Sequence, residues 1–180
     1  MFRKLKLAEL NRLTIYQYKE TKKLPVVVIL DNVRSMNNVG SIFRTCDALG
    51  IESLYLCGIT AVPPHREIHK TAIGAEESVH WEYFKDTTEA CLKLKEKGYK
   101  LAAIEQAAGS KDLSDFNFTT KENFGLIFGN EVDGVSDEVM NLCDHCIEIP
   151  QFGTKHSFNV AVSAGIVLWE ASRQIEITGN

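Results

Sequence analysis

The sequence lacks the features that mark several protein classes. Four prolines and twelve glycines among 180 residues are too few for a collagen-like or low-complexity chain. The longest apolar stretches, residues 24–30 and 161–169, are shorter than the roughly 20 residues that a membrane-spanning helix needs. No apolar segment follows the basic first residues, so we expect no cleaved signal peptide. With 44% hydrophobic and 24% charged residues, the chain is predicted to form one globular domain.

Cysteine is present without the pattern of a disulfide-bonded scaffold. The five cysteines are an odd number at scattered spacings, which predicts a reducing, cytoplasmic location. Cys143 and Cys146 have the Cys-x-x-Cys spacing of zinc and redox sites. No further zinc ligands follow at a matching spacing, and a redox pair should open a helix, whereas this pair precedes a predicted strand. We therefore expect no metal and interpret the pair as two half-buried thiols at a strand edge.

The charge of the chain is unevenly distributed. The net charge of −4 argues mildly against a nucleic-acid partner. Residues 1–23, however, carry seven basic and two acidic side chains, a net charge of +5. Leucines and tyrosines near one face predict a helix over residues 5–23, so residues 1–23 are expected to form a helical basic arm. Its charges form either a solvated helix face or a binding surface for phosphate groups.

Beyond the arm, short strands and helices alternate along the chain. Strands are predicted at residues 26–30, 53–57, 79–84, 100–104, 123–128 and 146–149, and helices at residues 38–49, 65–73, 86–97, 136–142 and 157–174. This pattern predicts an α/β fold, a parallel sheet flanked by helices on both faces, over residues 24–180. We expect a single domain with no linker and no internal repeat.

The usual signatures of α/β ligand sites are absent. No Gly-x-Gly-x-x-Gly follows a predicted strand, and the chain has neither a P-loop nor a Gly-x-Ser-x-Gly elbow. These absences argue against a dinucleotide site, a nucleotide triphosphate site and a standard hydrolase nucleophile. Three other stretches place glycine and polar residues where a strand ends and a helix begins, which is where open α/β sheets bind ligands.

The first of these stretches covers residues 30–45. Asn38 could cap the predicted helix, and Gly40 would allow another backbone to approach closely. Arg44 follows within two helical turns. Taken alone, Arg44 fits an exposed helix arginine better than a functional cation, because most arginines are solvated.

The second stretch, residues 124–136, runs from a strand through a turn into a helix. Gly129 and Gly134 allow a tight turn with bare backbone amides. Glu131 is either the partner of a nearby cation or a surface acid. Its position at the carboxyl end of a strand favours a site.

The third stretch, residues 149–166, contains a glycine loop after a strand, and Ser157 is predicted to cap the helix that follows. This last helix has small residues and is apolar on several faces, so more than one side of it must be covered. It forms either a subunit interface or an intramolecular core helix.

Together the three stretches strongly resemble the motifs of the TrmH (SpoU) branch of the SPOUT superfamily, which comprises AdoMet-dependent RNA ribose 2′-O-methyltransferases. The matching residues are Asn38, Gly40 and Arg44 in the first motif, Gly129, Glu131 and Gly134 in the second, and Ile149, Pro150, Gly153, Ser157, Phe158, Asn159 and Val160 in the third. The resemblance extends from about residue 26 to residue 169. Phe158 stands where the family usually has leucine. Residues 63–76 also resemble a loop of some tRNA-directed members.

The resemblance implies a fold, a cofactor and roles for the matched residues. It implies a C-terminal trefoil knot whose loops form the AdoMet pocket, and it implies a homodimer. The expected substrate is RNA, and tRNA is favoured over ribosomal RNA. Backbone groups around Ile104, Gly129, Ile149 and Phe158 would hold AdoMet. The implied catalytic residues are Arg44, Asn38, Glu131, Ser157 and Asn159. Ser157 and Asn159 would order the site, and Glu131 would orient Arg44 or Asn38. Arg44 matches the family's proposed catalytic residue. Because arginine is a poor base, we expect it instead to bind an RNA phosphate and stabilise the developing 2′-oxyanion.

Three other functions remain compatible with the motifs. The chain could be a non-catalytic RNA-binding module of the same fold, although all three motifs are intact. It could methylate ribosomal RNA, or it could methylate a base, as other SPOUT branches do. Asn38 with Arg44, and Ser157 with Asn159, favour the ribose branch.

Overall fold

The computed structural model describes residues 2–119 and 121–175, which form an α/β fold around a seven-stranded sheet. The strands are β1 (Leu24–Asp31), β2 (Ile51–Cys57), β3 (Trp81–Phe84), β4 (Lys100–Ile104), β5 (Lys111–Asp112), β6 (Phe124–Phe128) and β7 (His145–Glu148). The helices are α1 (Ile15–Glu20), α2 (Met36–Leu49), α3 (Arg66–Ala72), α4 (Ala75–Ser78), α5 (Thr87–Glu96), α6 (Asp137–Met140) and α7 (Val160–Gln174). All strand pairings are parallel, in the order β3-β2-β1-β6-β4-β7-β5.

Hydrophobic cores on the two faces of the sheet explain the unbroken apolar run of β1. Val26, Val28 and Leu30 belong to the core that contains residues of α2, α3, α4 and α7. Val27 and Ile29 belong to the opposite core, which contains residues of α5 and α6. Because side chains alternate between the faces of a strand, a strand covered on both sides is apolar at every position. The predicted parallel sheet with helices on both faces is confirmed.

The strand order brings the three sequence stretches together. β6 lies between β1 and β4, so Phe128 pairs with Leu30 on one side and with Ile104 on the other. β7 lies beside β4, and Ile147 pairs with Ile104. The segments that follow β1, β4, β6 and β7 therefore leave the same edge of the sheet. The trefoil knot that the family resemblance implies stays a prediction.

The predicted helix over residues 5–23 is wrong. The arm instead has a 3-10 turn at Leu7–Glu9 and a separate helix, α1. Asn11 has a φ of 47°, which breaks a helical path. Thr14 then starts α1 with a capping box, because its side chain and that of Gln17 each accept a bond from the other's backbone amide. Tyr18 anchors α1 by donating from its hydroxyl to the Cys46 carbonyl at 3.4 Å.

Two predicted helix caps are also wrong, and both errors concern site residues. Ser35, not Asn38, caps α2, since its hydroxyl accepts from the Asn38 amide at 3.3 Å. Asn159, not Ser157, caps α7, since its Oδ1 accepts from the Ala161 amide at 2.9 Å. Serine and asparagine are both strong helix-capping residues, so residue type alone does not decide which of two nearby residues begins the helix. No helix within residues 2–119 and 121–175 has the length and apolar character to cross a bilayer.

Candidate functional site

A cavity of about 490 Å³ lies at the carboxyl ends of β4, β6 and β7. Residues from the second and third sequence stretches form most of its wall. Its lining includes all four residues predicted to hold a cofactor, which are Ile104, Gly129, Ile149 and Phe158, and three predicted catalytic residues, which are Glu131, Ser157 and Asn159. The volume lies within the range of about 300–1,000 Å³ that is usual for small-molecule sites.

A line of hydrogen bonds joins the three motifs at the rim of this cavity. Asn159 donates from Nδ2 to Asn38 Oδ1 at 3.2 Å. Asn38 in turn donates from Nδ2 to Glu131 Oε1 at 3.0 Å. Each bond joins a residue to another motif far away in sequence. The structure therefore brings Asn38, Glu131 and Asn159 into one group.

The direction of this line is fixed by the helix that Asn159 caps. Its Oδ1 accepts from the Ala161 and Val162 amides, so its Nδ2 must face Asn38. A carboxylate can only accept, so Glu131 fixes the orientation of the Asn38 amide from the other end. Both asparagine side chains therefore have one satisfied orientation.

Glu131 is ionised at neutral pH. Desolvation alone would raise the pKa of its carboxyl, but hydrogen bonds from backbone amides and from Asn38 outweigh it and lower that pKa. One of these donors is the amide of Arg34, at 3.4 Å from Oε2. A group with a lowered pKa loses its charge only as the pH falls below its ordinary value, here 4.5. The carboxylate of Glu131, at one end of the hydrogen-bonded line, is therefore negatively charged throughout the neutral pH range.

The turn between Gly129 and Gly134 forms part of the cavity wall and requires both glycines. Asn130 and Gly134 exchange backbone hydrogen bonds, each of 3.1 Å. Gly134 has a φ of 70°, in the left-handed region. A Cβ on Gly129 would lie 2.0 Å from the Gly134 carbonyl carbon, so no side chain fits at Gly129.

Two carboxylates that the sequence analysis did not single out hold this turn in place. Asp31, only 1% exposed, accepts from the Thr87 hydroxyl at 2.6 Å and from the Ser136 amide at 3.0 Å. Glu105 accepts from the Val135 amide at 3.1 Å. The sequence signal that could have identified these two anchors is an acidic residue at the end of an apolar strand. Asp31 ends β1, and Glu105 follows β4. Together they fix two successive amides where the turn enters α6.

Arg44 does not join this group. It is exposed and lines a neighbouring groove with Lys70 of α3 and with Gly165 and Trp169 of α7. Six residues along a helix correspond to about 9 Å of rise and about 120° of rotation from Asn38, which explains the separation. The structure thus shows Glu131 bonded to Asn38 and not to Arg44.

Cys143 and Cys146 are half buried, as predicted, and their thiols bond to backbone carbonyls. Cys143 donates to the Val139 carbonyl at 3.3 Å, and Cys146 to the Glu105 carbonyl at 3.5 Å. Burial raises the pKa of both thiols, that of Cys143 to about 11. The described residues contain no group of three or more His, Cys, Asp or Glu side chains arranged to hold a metal ion.

A sequence model described as the SpoU rRNA Methylase family matches residues 25–169. The chain belongs to this family. A tRNA (guanosine(18)-2′-O)-methyltransferase of Thermus thermophilus is 32% identical over 166 residues, which cover 92% of this chain and 84% of that protein. The 23S rRNA (guanosine-2′-O-)-methyltransferase RlmB of Neisseria meningitidis is 33% identical over 150 residues, which cover 83% of this chain and 59% of that protein.

Solved structures agree with this family assignment. The TrmH/SpoU tRNA modifying enzyme of A. aeolicus has a TM-score of 0.79 and 30% identity over 89% of this chain and 80% of its own. The SpoU methyltransferase AviRb of Streptomyces viridochromogenes, solved with AdoMet, has a TM-score of 0.77 and 28% identity. The match covers 88% of this chain and 63% of AviRb. The predicted family of AdoMet-dependent RNA 2′-O-methyltransferases is confirmed.

Proposed function

We propose that this protein transfers a methyl group from AdoMet to a ribose 2′-hydroxyl of tRNA in the cytoplasm. The observation that carries the proposal is the hydrogen-bonded line from Asn159 through Asn38 to Glu131 at the rim of the cavity. The T. thermophilus and Aquifex aeolicus tRNA (guanosine(18)-2′-O)-methyltransferases, each 32% identical to this chain, support tRNA as the substrate.

The residues of the cavity fit AdoMet. Ile104, Ile149 and Phe158 offer apolar walls for an adenine ring. Because Gly129 has no side chain, Gly134 packs against it and holds the turn in the cavity wall. Glu131 adds negative charge beside a cofactor that carries a positive sulfonium. When bound, AdoMet supplies an electrophilic methyl group on a good leaving group.

Methyl transfer leaves the protein two tasks, which are to position the ribose oxygen and to stabilise its developing negative charge. The bound cofactor would supply the methyl group and keep the electron pair of its carbon–sulfur bond, and the proton of the 2′-hydroxyl would leave to a phosphate oxygen or to water. The side-chain amides of Asn38 and Asn159 each have one fixed orientation, so they can orient the approaching ribose. Arg44 remains protonated and therefore cannot act as the base. Its part is to bind an RNA phosphate and stabilise the oxyanion.

The position of Arg44 determines how RNA would lie on the surface. With Lys70, Arg44 places two cations in the groove between α2, α3 and α7. An RNA strand whose ribose enters the cavity would bring a phosphate to these two cations, on the α2 and α3 side of the groove. We also assign phosphate contacts to the basic arm of residues 1–23, ahead of a methyltransferase domain of residues 24–180. Arg3 in that arm is already paired with Glu9, at 2.7 Å.

We propose that a second copy of the chain covers the outer face of α7. Val162 and Trp169 on this face are 49% and 62% exposed, and Ile73 across the groove is 66% exposed. Gly165 has open space around its missing side chain, so another helix can approach closely. The opposite side of α7, with Ala164 and Leu168, is already buried in the core. A homodimer would place the partner beside Arg44.

The second candidate substrate is ribosomal RNA, because RlmB of N. meningitidis is as similar to this chain as the tRNA enzymes are. The decisive experiment is transfer of labelled methyl from AdoMet to unmodified total tRNA and, separately, to ribosomal RNA. Digestion to nucleosides then identifies the product. Label in a 2′-O-methylnucleoside of tRNA, lost in Arg44→Ala, is the expected result. Label in a base, or AdoMet binding without transfer to either RNA, would contradict the proposal, and a protein that binds RNA but not AdoMet would be a binding module.

A further inference from the structure

The loop between β7 and α7 carries an aromatic side chain that no residue within 2–119 and 121–175 covers. We call residues 150–158 the rim loop, since Gln151, His156 and Ser157 in it line the mouth of the cavity. Every residue from 152 to 158 is exposed. Phe152 is 97% exposed. Leaving such a ring in water forgoes about 1.5–3 kcal/mol of burial free energy.

The rim loop is held at its two ends only. Glu148 before it lies in β7, paired with Asp112, and Asn159 after it caps α7. Within the part of the chain that the structure describes, no hydrogen bond joins residues 150–158 to other residues. A segment with so few contacts can adjust its conformation at low cost when a ligand arrives.

The charges around Phe152 favour a nucleotide as its partner. Lys155 and His156 follow it in the same loop, and both are exposed. An aromatic ring beside a cation is the combination that binds single-stranded RNA, because the ring stacks on a base and the cation binds the phosphate.

We propose that Phe152 stacks on a base of the RNA whose ribose enters the cavity, and that Lys155 binds the adjacent phosphate. Phe152 is then a positioning residue that sets where the target ribose lies relative to the cavity. This proposal rests on the proposed function for the identity of the reaction. The contact with RNA does not depend on methyl transfer and can be measured without it.

The test compares Phe152→Ala with Phe152→Trp, using Leu92→Ala as the matched control. Leu92 is an exposed apolar residue on α5 and lies outside the cavity and the Arg44 groove. The measurement is the Kd of each variant for unmodified total tRNA and for ribosomal RNA at one fixed salt concentration. We expect Phe152→Ala to weaken binding of the substrate RNA about 10-fold or more, since stacking on one base is worth about that much. Phe152→Trp and Leu92→Ala should bind like the wild type.

Further readouts separate this role from a structural one. The Kd of Phe152→Ala for AdoMet should be unchanged by calorimetry, and its KM for RNA should rise more than its kcat falls. An unchanged RNA Kd, or no rescue by tryptophan, would overturn the proposal. So would a Phe152→Ala protein that sediments as a monomer where the wild type is a dimer, since the ring would then contact a second copy. Absence of methyl transfer with Phe152-dependent RNA binding would reject the proposed function alone.

Discussion

Gly129 and Gly153 lie in matched motifs, but only Gly129 lacks room for a side chain. A Cβ at Gly129 would meet the backbone of Gly134 at 2.0 Å, whereas none of the surrounding atoms lies within 4 Å of a Cβ at Gly153. We expect Gly129→Ala to move the turn away, to cost about 1–3 kcal/mol of folding free energy and to abolish AdoMet binding. Calorimetric titration with AdoMet and urea unfolding measure the two effects.

Gly153→Ala is the matched control for this prediction. Gly153 is not among the positive-φ glycines, so alanine can adopt its backbone conformation. Its AdoMet affinity and stability should match the wild type. If Gly129→Ala binds AdoMet normally, the turn is not part of the cofactor site.

The Arg44→Lys variant tests whether a positive charge alone is sufficient to bind an RNA phosphate in the groove. Lysine keeps the charge but cannot form the two parallel hydrogen bonds that a guanidinium makes to a phosphate. We expect Arg44→Lys to lower kcat/KM by about 100- to 1,000-fold, the usual loss for one charge-stabilising donor. The AdoMet Kd should not change, because Arg44 lies outside the cavity. Turnover close to that of the wild type would refute the phosphate-binding role.

At the residue scale, the sequence motifs predicted residues that the structure brings together, but not every contact between them. The motif spacing identified Asn38, Glu131 and Asn159, and the structure bonds them together. The sequence could not place Arg44 in a separate groove, because the position of Arg44 depends on how α2 is rotated against α7. Nor did it identify Asp31 as an anchor, since a single acid at the end of a strand has many ordinary uses.

At the scale of the elements, Asn159 combines two roles that substitutions can separate. Its Oδ1 caps α7, and its Nδ2 binds Asn38. Asn159→Asp keeps an oxygen for the cap but has no donor for Asn38. We expect this variant to unfold at the wild-type urea concentration while losing at least about 10-fold in kcat/KM, because Asn38 Oδ1 then faces a carboxylate in place of a hydrogen-bond donor.

Asn159→Ala removes both roles. It should lose activity in the same way and also about 0.5–2 kcal/mol of stability from the lost cap. Equal stability of the alanine and aspartate variants would mean that the cap contributes nothing. Full activity of Asn159→Asp would mean that the bond to Asn38 is not needed for catalysis.

Helices and strands with strong local signals were predicted well, and those without them were not. Asp86 caps α5, and Gly50 ends α2 in the left-handed conformation, so both helices lie close to their predicted ranges. The arm was predicted as one helix because its leucine spacing is helical, but nothing in that spacing reports the left-handed Asn11. The two-residue strand β5 was missed, because only the neighbouring β7 gives it a partner.

At the scale of the whole molecule, the basic arm predicts how RNA binding depends on salt. Each lysine that contacts a phosphate releases about 0.7–0.9 counterions, which sets the slope of log K against log salt concentration. We expect Lys4→Gln with Lys6→Gln to reduce that slope by about 1.5 and to weaken binding at low salt. Titrations of RNA at several salt concentrations measure the slope.

Lys97→Gln with Lys121→Gln is the matched control, with the same loss of charge. These exposed lysines lie after α5 and before β6, at the opposite edge of the sheet from the cavity. This control variant should leave the slope of log K against log salt concentration unchanged. If both double variants reduce the slope equally, binding reflects only the net charge of the protein.

The position of β6 between β1 and β4 has a consequence for synthesis of the chain on the ribosome. β1 pairs with β2 soon after both emerge, but its other edge waits for residues 124–128. Until then the apolar run of residues 24–30 is an open strand edge, the kind of segment that nucleates aggregation. Lys22 and Lys23 stand directly before this run, where charged gatekeeper residues protect a nascent strand. We therefore expect Lys22 and Lys23 to limit aggregation of the growing chain until residues 124–128 pair with β1.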